Sequence, residues 1–165
     1  MLAAVDVDYR DGKALAACVL FRGWTDETPA GERVRLIEHV EPYVPGQFYK
    51  RELPCLLAVL GEVADPLEAI VIDGYVWLQD EQTPGLGGHL FEALERRVPV
   101  IGVAKTEFLS ATAARQVKRG GSGRPLHVTA AGINVDEAAC FIEQMHGPFR
   151  LPTLLKRADQ LCRNS

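Results

Sequence analysis

Three consecutive strand patterns at the start of the chain limit its possible folds more than any other feature. Leu2 to Val7 is a short apolar segment with one acidic interruption, and Asp11-Gly12 is a strong signal for a tight turn. Ala14 to Phe21 is predicted to be the returning strand, and the alternation over Val34 to Val40 predicts a third. We therefore expect the chain to begin with an antiparallel three-strand meander.

The rest of the chain alternates between helical and strand patterns. A proline-stiffened loop at Pro42 to Gly46 is followed by helical spacing over Arg51 to Val63, where Pro54 is expected only in the first turn. Further strands are predicted at Ala69 to Ile72, Pro99 to Ala104 and Leu126 to Ala130, and further helices at Gly88 to Arg97, Asp136 to His146 and Leu151 to Leu161. This order predicts one α/β domain over residues 1–165, in which a mixed sheet combines the meander with parallel strands and carries helices on both faces.

Composition narrows the class of protein. The chain has 165 residues, of which 47% are hydrophobic and 24% charged, as is typical of a soluble globular domain. It has no apolar stretch of about 18 residues, so we expect no membrane-spanning helix. Neither a basic segment nor a long apolar run stands at its start, which argues against a secretory signal. The four cysteines form no CxxC pair, which favours free thiols in a reducing cytoplasm over a zinc site.

The charge distribution is ambiguous about nucleic acid. A net charge of -4 argues mildly against a nucleic-acid binder, because phosphate contact requires Lys and Arg. A metal site rich in carboxylates would itself lower the net charge, however. The segment Arg115 to Arg124 carries four positive residues and no negative one, and its glycines suggest a mobile loop. It is a candidate for phosphate contact, with a plain solvated linker as the competing interpretation.

Three carboxylates stand where a metal site could form. Asp6 interrupts the first strand, and Asp8 shares its face because strand side chains alternate. Asp73 ends an apolar strand, where α/β folds commonly bind ligands, and Glu52 opens the helix after the proline loop. Each position alone has a structural explanation, such as helix-dipole stabilisation by Glu52. Together, on two strands and a helix that can converge, they favour a metal site.

The chemistry of such a site explains the residue types. Mg²⁺ and Mn²⁺ take oxygen ligands, and two such ions about 4 Å apart can activate water and stabilise the leaving oxygen of a phosphodiester. Lys105, at the end of the strand after Asp73, could stabilise charge in the transition state. A solvated lysine at a strand end is the alternative for that residue.

Five ordered segments give the chain a family resemblance. Their sequences are Pro42-Tyr43-Val44-Pro45-Gly46, Arg51-Glu52-x-Pro54, Val71-Ile72-Asp73-Gly74, Ile101-Gly102-Val103-Ala104-Lys105, and Arg150-Leu151-Pro152 with Ala158-Asp159. In this order the chain resembles endonuclease V, a nuclease that cuts near deaminated bases such as hypoxanthine. The resemblance covers about residues 2 to 160 and implies an RNase H-like fold.

The resemblance also implies roles for individual residues. The metal carboxylates of the family fall on Asp6, Glu52 and Asp73, and its catalytic lysine falls on Lys105. Its wedge tyrosine falls on Tyr43, and an aromatic ring on a stiff loop can stack where a base has left the helix. The other substrate-binding residues implied are Pro45, Gly74 and His89. The expected cofactor is Mg²⁺ or Mn²⁺, and the expected partner is DNA or possibly RNA.

Two stretches depart from the family pattern. Ala131 stands where the histidine of the family's Gly-His pair is expected, and Tyr75 to Glu81 is bulkier and more acidic than the family loop that holds the lesion base. Asp8 is a possible substitute ligand. Besides an active endonuclease V-like enzyme, two alternatives stay open. One is a catalytically impaired relative that binds nucleic acid or a protein partner, and the other is an RNase H-like nuclease of different specificity. The sequence leaves the oligomeric state and the cleavage position open.

Overall fold

One seven-stranded sheet connects the strands of the whole chain. A computed structural model describes all 165 residues and has the strand order β3-β2-β1-β4-β5-β7-β6. The strands are β1 (Leu2–Arg10), β2 (Lys13–Phe21), β3 (Gly31–Ile37), β4 (Ala69–Asp73), β5 (Val100–Ala104), β6 (Arg115–Val117) and β7 (Leu126–Ala131). The helices are α1 (Tyr49–Leu60), α2 (Leu86–Ala93), α3 (Val135–Gln144) and α4 (Thr153–Asn164).

The pairing of the strands confirms the predicted fold class. β1, β2 and β3 form the antiparallel meander, and β4 and β5 then add to β1 in parallel. The final strands, β7 and β6, are antiparallel to their neighbours. The result is the predicted mixed sheet, and its parallel centre places the carboxyl ends of β1, β4 and β5 at one edge.

Helices cover both faces of the sheet, as predicted. Cys55, Leu56 and Val59 of α1 pack with Leu90 of α2 on one face, and Ala138, Ile142, Leu154 and Ala158 of α3 and α4 pack on the other. Along β1, Ala3 and Val5 face the first of these layers, whereas Leu2 and Ala4 face the second. Asp6 shares the face of Leu2 and Ala4, so it points toward α4 rather than toward open solvent.

Several predicted boundaries are wrong by a few residues. β1 continues to Arg10, and β3 spans Gly31–Ile37 rather than 34–40. α1 begins at Tyr49, so Pro54 lies in its second turn and not in the first. The reason is that the chain turns helical directly after the loop, where Lys50 N donates to Gln47 O. α2 ends at Ala93, four residues before the predicted end.

The basic segment at 115–124 is not a mobile loop throughout. Its first three residues form β6, which pairs with β7. Arg119 is buried, and its guanidinium donates hydrogen bonds to the carbonyl oxygens of Phe149 (2.9 Å), Arg150 and Met145. This residue therefore ties the segment to the connection between α3 and α4 and is not available for phosphate contact.

The four helices are 8 to 12 residues long. None of them combines enough length with enough apolar character to span a membrane.

Candidate active site

Two of the predicted carboxylates lie side by side at the carboxyl edge of the sheet. Val5 pairs with Ile72 in the parallel register of β1 and β4, so Asp6 and Asp73 are the next residues on adjacent strands. Neighbouring strands run about 4.8 Å apart, which brings two acidic side chains close together on one face. Asp6 accepts a hydrogen bond from the amide of Val7 at 2.9 Å. The strand pairing thus places the two carboxylates next to each other.

Glycines shape the turn that follows Asp73. Gly74 has a φ of +133°, a backbone conformation that residues other than glycine rarely adopt. The chain leaves the sheet at this residue. The departing loop crosses β5 at Gly102, where an added Cβ would lie 2.5 Å from the carbonyl oxygen of Gly74. The hydroxyl of the buried Thr129 then accepts a hydrogen bond from Val76 N at 2.8 Å. These contacts explain the glycines of the Asp73-Gly74 and Ile101-Gly102 motifs.

Lys105 is paired with Asp73. Its Nζ lies 2.9 Å from Asp73 Oδ2, and its backbone carbonyl accepts a hydrogen bond from the guanidinium of Arg150. Burial alone would lower the pKa of Lys105, but the hydrogen bond and the charge of Asp73, with the charge of Asp6, raise it above its usual value. The lysine is therefore held charged at the carboxylates.

Glu52 reaches the same place from the other layer. It lies in the first turn of α1 and is buried, with 7% of its surface exposed. Burial, and then the negative charges of Asp6 and Asp73, raise its pKa from 4.5 to about 8. Burial and the charge of Asp73 likewise raise the pKa of Asp6 from 3.8 to about 6. A helix-dipole role alone would not require burial against two other carboxylates.

A fourth carboxylate, Asp159, was not predicted to belong to the site. It projects from α4, and together with Asp6, Asp8, Glu52 and Asp73 it lines one surface depression, which we call the acidic opening. Its Oδ1 accepts a hydrogen bond from Arg163 at 2.8 Å, and its charge contributes to the raised pKa of Asp6. The Ala158-Asp159 motif in the sequence contains this residue, but the motif by itself supports only the family resemblance.

The acidic opening has the donor chemistry that a hard divalent cation requires. Its oxygen donors are carboxylates. Burial, and then the charges of neighbouring carboxylates, raise the pKa values of Glu52 and Asp6, and a cation among these groups would relieve the repulsion. The side chains do not yet share a ligand position, since no group of three acidic, His or Cys residues is arranged to hold a metal. Asp73 points its Oδ2 at Lys105 instead. Shared ligation therefore requires side-chain rotation.

Comparison with known proteins identifies the family. The family model for endonuclease V matches residues 1–136. The chain belongs to the endonuclease V family. The endonuclease V of Streptomyces avermitilis is 30% identical over 187 residues, in an alignment that covers 99% of this chain and 80% of that protein. The crystal structure of endonuclease V from the same organism superimposes with a TM-score of 0.82 at 29% identity, covering 98% of this chain and 79% of that one. The protein is thus an endonuclease V-like nuclease, as the motifs predicted.

More distant endonuclease V structures share the fold. That of Ciona intestinalis, in complex with a 24mer DNA containing an inosine followed by a ribo-adenosine, matches with a TM-score of 0.79 at 16% identity. The alignment covers 98% of this chain and 83% of that one. At this identity the likeness shows the fold alone. It agrees with the predicted RNase H-like architecture.

The substrate-binding residues implied by the endonuclease V resemblance are spread around the site. Tyr43 is 57% exposed on its loop, two residues before Pro45. Its ring packs edge-on against Phe48, with 6.3 Å between the ring centroids. Phe48 in turn lines the acidic opening, which brings the tyrosine loop to the border of the site. His89 instead stacks on Tyr49, with 3.6 Å between ring centroids, and does not line the acidic opening.

The position thought to lack the family histidine is far from the carboxylates. Ala131 pairs with Val100, at the opposite end of β5 from Lys105, and is buried in the apolar core. The residue of β7 that pairs with Ala104 is His127. Four residues of strand separate it from Ala131, a distance of roughly 13 Å. A histidine at 131 would not reach the site, so the expectation that Ala131 replaces a residue of the metal site is wrong.

Proposed function

We propose that this protein is a divalent-metal-dependent endonuclease that hydrolyses a phosphodiester bond near a deaminated base, such as hypoxanthine, in DNA or RNA. The observation that carries the proposal is the acidic opening itself. Five carboxylates from β1, β4, α1 and α4 line one depression, and Lys105 pairs with Asp73. A solvated surface acid would not need to be buried beside two other carboxylates, as Glu52 is.

Asp6, Asp73, Glu52 and Asp159 are the proposed ligands of Mg²⁺ or Mn²⁺. When bound, such ions supply activation of a water molecule and stabilisation of the leaving oxygen. The buried position of Glu52 keeps bulk water from that side of the site. Lys105, released from Asp73 when that carboxylate turns toward a cation, would place its ammonium group beside the phosphate, where it stabilises developing negative charge.

Recognition of a deaminated base is the finer part of the proposal. It is supported by the family membership and by the inosine-containing DNA bound to the Ciona intestinalis relative. In this chain, the exposed ring of Tyr43 stands at the border of the acidic opening and can occupy the space that a displaced base leaves. On the other side of Asp73, the hydroxyl of Tyr75 donates to the Thr106 carbonyl at 2.7 Å and accepts from Phe108 N at 3.0 Å. These two hydrogen bonds tie the loop after Asp73 to the segment that follows Lys105.

A nicking assay tests the proposal. An oligonucleotide with one deoxyinosine and its undamaged counterpart are incubated with the protein in Mg²⁺ and in Mn²⁺. We expect cleavage of the inosine strand, and we expect Asp73→Asn to lower its rate by about a hundredfold or more, because the neutral amide is a poor ligand for a hard cation. The matched control is Asp65→Asn, which removes the same charge from an exposed position before β4.

Each part of the proposal has its own contrary result. If neither strand is cut with either metal, the protein is not a nuclease of this kind, and retained binding would instead indicate a relative that only binds nucleic acid. Equal cleavage of both strands would refute specificity for deaminated bases and favour a nuclease of different specificity. A rate unaffected by Asp73→Asn would remove the metal ligand role from that residue.

A further inference from the structure

The basic segment at 115–124 divides into residues with different surroundings. Arg115 pairs with Asp136 at the start of α3, with 2.7 Å between Nε and Oδ1. Arg119 is buried and bonded to main-chain carbonyls. Lys118 and Arg124, in contrast, are both exposed and line a groove together with Lys105. Two of the four cations are therefore bonded within the fold, and the other two face solvent in the same groove.

No residue of a helix lines the groove, whose walls come from β6, β7 and the loops that follow β5 and β6. Ala104, His127 and Gln116 are register partners, so they form one row across β5, β7 and β6. β5 and β6 are both antiparallel to β7 and therefore run in the same direction. Lys105 and Lys118 consequently both lie beyond this row, at the carboxyl edge of the sheet where Asp73 also lies.

The charged residues that line the groove are mostly basic. Nine residues line it, and none has a large apolar side chain. Its cations are Lys105, Lys118 and Arg124, with Glu107 as the one acidic member, and the exposed Gln116 and the buried His127 add further polar groups. In a chain with a net charge of -4, this is a local concentration of positive charge. Such a surface is suited to a polyanion.

Lys105 belongs to both sites. Its ammonium group pairs with Asp73 in the acidic opening, and its side chain is also part of the groove wall. The row from β5 to β6 spans two strand spacings, which is about 10 Å. That length corresponds to about three nucleotides of one strand at 3.4 Å each. A strand whose phosphate lies at the carboxylates could therefore continue along the groove.

The β6–β7 hairpin is held in a fixed position. Gly120 adopts a φ of +63°, and an added Cβ there would lie 2.5 Å from the carbonyl carbon of Phe149. Arg119 bonds to the same stretch of chain from the neighbouring position. Because these contacts fix the hairpin against the α3–α4 connection, Lys118 needs little ordering of the main chain to bind a ligand.

We propose that this groove binds the sugar-phosphate backbone of the substrate strand on one side of the cleaved bond, with Lys118 and Arg124 as its principal phosphate contacts. Gln116, which is exposed, donates a hydrogen bond to a phosphate or sugar oxygen. The contacts are to the backbone, so they position the strand without reading its sequence. This inference rests on the proposed function, since it assumes a nucleic-acid substrate for the acidic opening.

The test compares two double variants that change net charge equally. Lys118→Ala/Arg124→Ala removes two of the three groove cations and leaves Lys105, whereas Arg33→Ala/Arg35→Ala removes two exposed cations from β3, at the opposite edge of the sheet. Binding of a fluorescent single-stranded oligonucleotide with one deoxyinosine is followed by anisotropy at several NaCl concentrations. Ca²⁺ replaces Mg²⁺ because it also takes oxygen ligands, and a gel checks that the strand stays intact. Thermal unfolding of each variant checks its fold.

We expect the groove variant to bind about tenfold or more weakly at about 0.1 M salt, with a salt slope smaller by about 1.4, because each phosphate contact to a single strand contributes about 0.7. The β3 variant should change much less. Equal loss in both variants would mean that binding responds only to net charge and would overturn the groove. No loss in the groove variant, or no binding by the wild-type protein, would overturn it too. Binding with this pattern but without cleavage in Mg²⁺ would support the groove and refute only the proposed nuclease activity.

Discussion

The burial of Glu52 leads to a prediction about stability that can be made without any substrate. Its side chain is almost fully buried beside two other carboxylates, and its pKa is raised from 4.5 to about 8. In the unfolded chain the group has its ordinary pKa, so between these values the folded state binds more protons than the unfolded state. The free energy of unfolding must then fall as pH rises through that window, and its full value is present only below the unfolded pKa.

The magnitude follows from the same shift. One pKa unit corresponds to about 1.4 kcal/mol, so the cost of ionising Glu52 in the fold is at most about 3 kcal/mol at neutral pH. The repulsion among Glu52, Asp6 and Asp73 is shared by all three carboxylates. Removing the charge of Glu52 alone therefore recovers only part of this free energy. For Glu52→Gln, which keeps the size of the side chain, we expect a gain of about 1–3 kcal/mol at neutral pH in EDTA. For a chain of this length that is a rise in Tm of roughly 2–10 °C.

The assay is urea or thermal unfolding in EDTA from about pH 5 to about pH 8, the window in which the linkage applies. The wild-type protein should lose stability across this range, and Glu52→Gln should lose clearly less. Addition of Mg²⁺ should stabilise the wild-type protein more than the variant, because the cation compensates the charge that the variant lacks. The control is Glu41→Gln, at an exposed loop position. If Glu52→Gln is no more stable than the wild type at neutral pH, or if both pH curves run parallel, the buried-repulsion reasoning is wrong.

Two further predictions concern the loops around the site. Thr129→Val leaves the amide of Val76 buried without its acceptor, so we expect the free energy of unfolding in urea to fall by about 1–3 kcal/mol. Thr129→Ser keeps the hydrogen bond and is the control. Equal stability of the Val and Ser variants would contradict this reasoning. Tyr43→Ala removes an exposed ring, so we expect the free energy of unfolding to change by less than about 0.5 kcal/mol while cleavage of inosine-containing duplex slows, and Tyr43→Phe should cleave normally. Unchanged cleavage by Tyr43→Ala would exclude a wedge role.

Local patterns were sufficient to predict much of this protein. The meander, the buried strands and the positions of Asp6 and Asp73 at a common edge follow from periodicity and turn signals that neighbouring residues supply. The five ordered motifs were sufficient to predict the family, and the family model confirms it. Boundaries were less accurate, as at α1, because the end of a helix depends on bonds made by the adjoining loop as well as on its own sequence.

The residues that only the tertiary structure could place are those whose role depends on distant parts of the chain. Arg119 looked like a phosphate ligand by composition, yet it is bonded to carbonyls of the α3–α4 connection, about thirty residues away. Ala131 was matched to a catalytic position by its sequence context, yet the antiparallel register of β7 places it at the opposite end of the sheet. Neither the burial of a side chain nor its distance from another element is contained in a local pattern.

The candidate site shows the same division. The sequence by itself determined that acidic residues end or interrupt buried strands, because such positions are unusual enough to recognise locally. The tertiary structure decided that Asp159 joins them, that Glu52 is buried rather than solvated on its helix, and that Lys105 lies between the acidic opening and a basic groove. These outcomes depend on the packing of α1 and α4 against opposite faces of one sheet, since only that packing fixes which charges are close enough to interact.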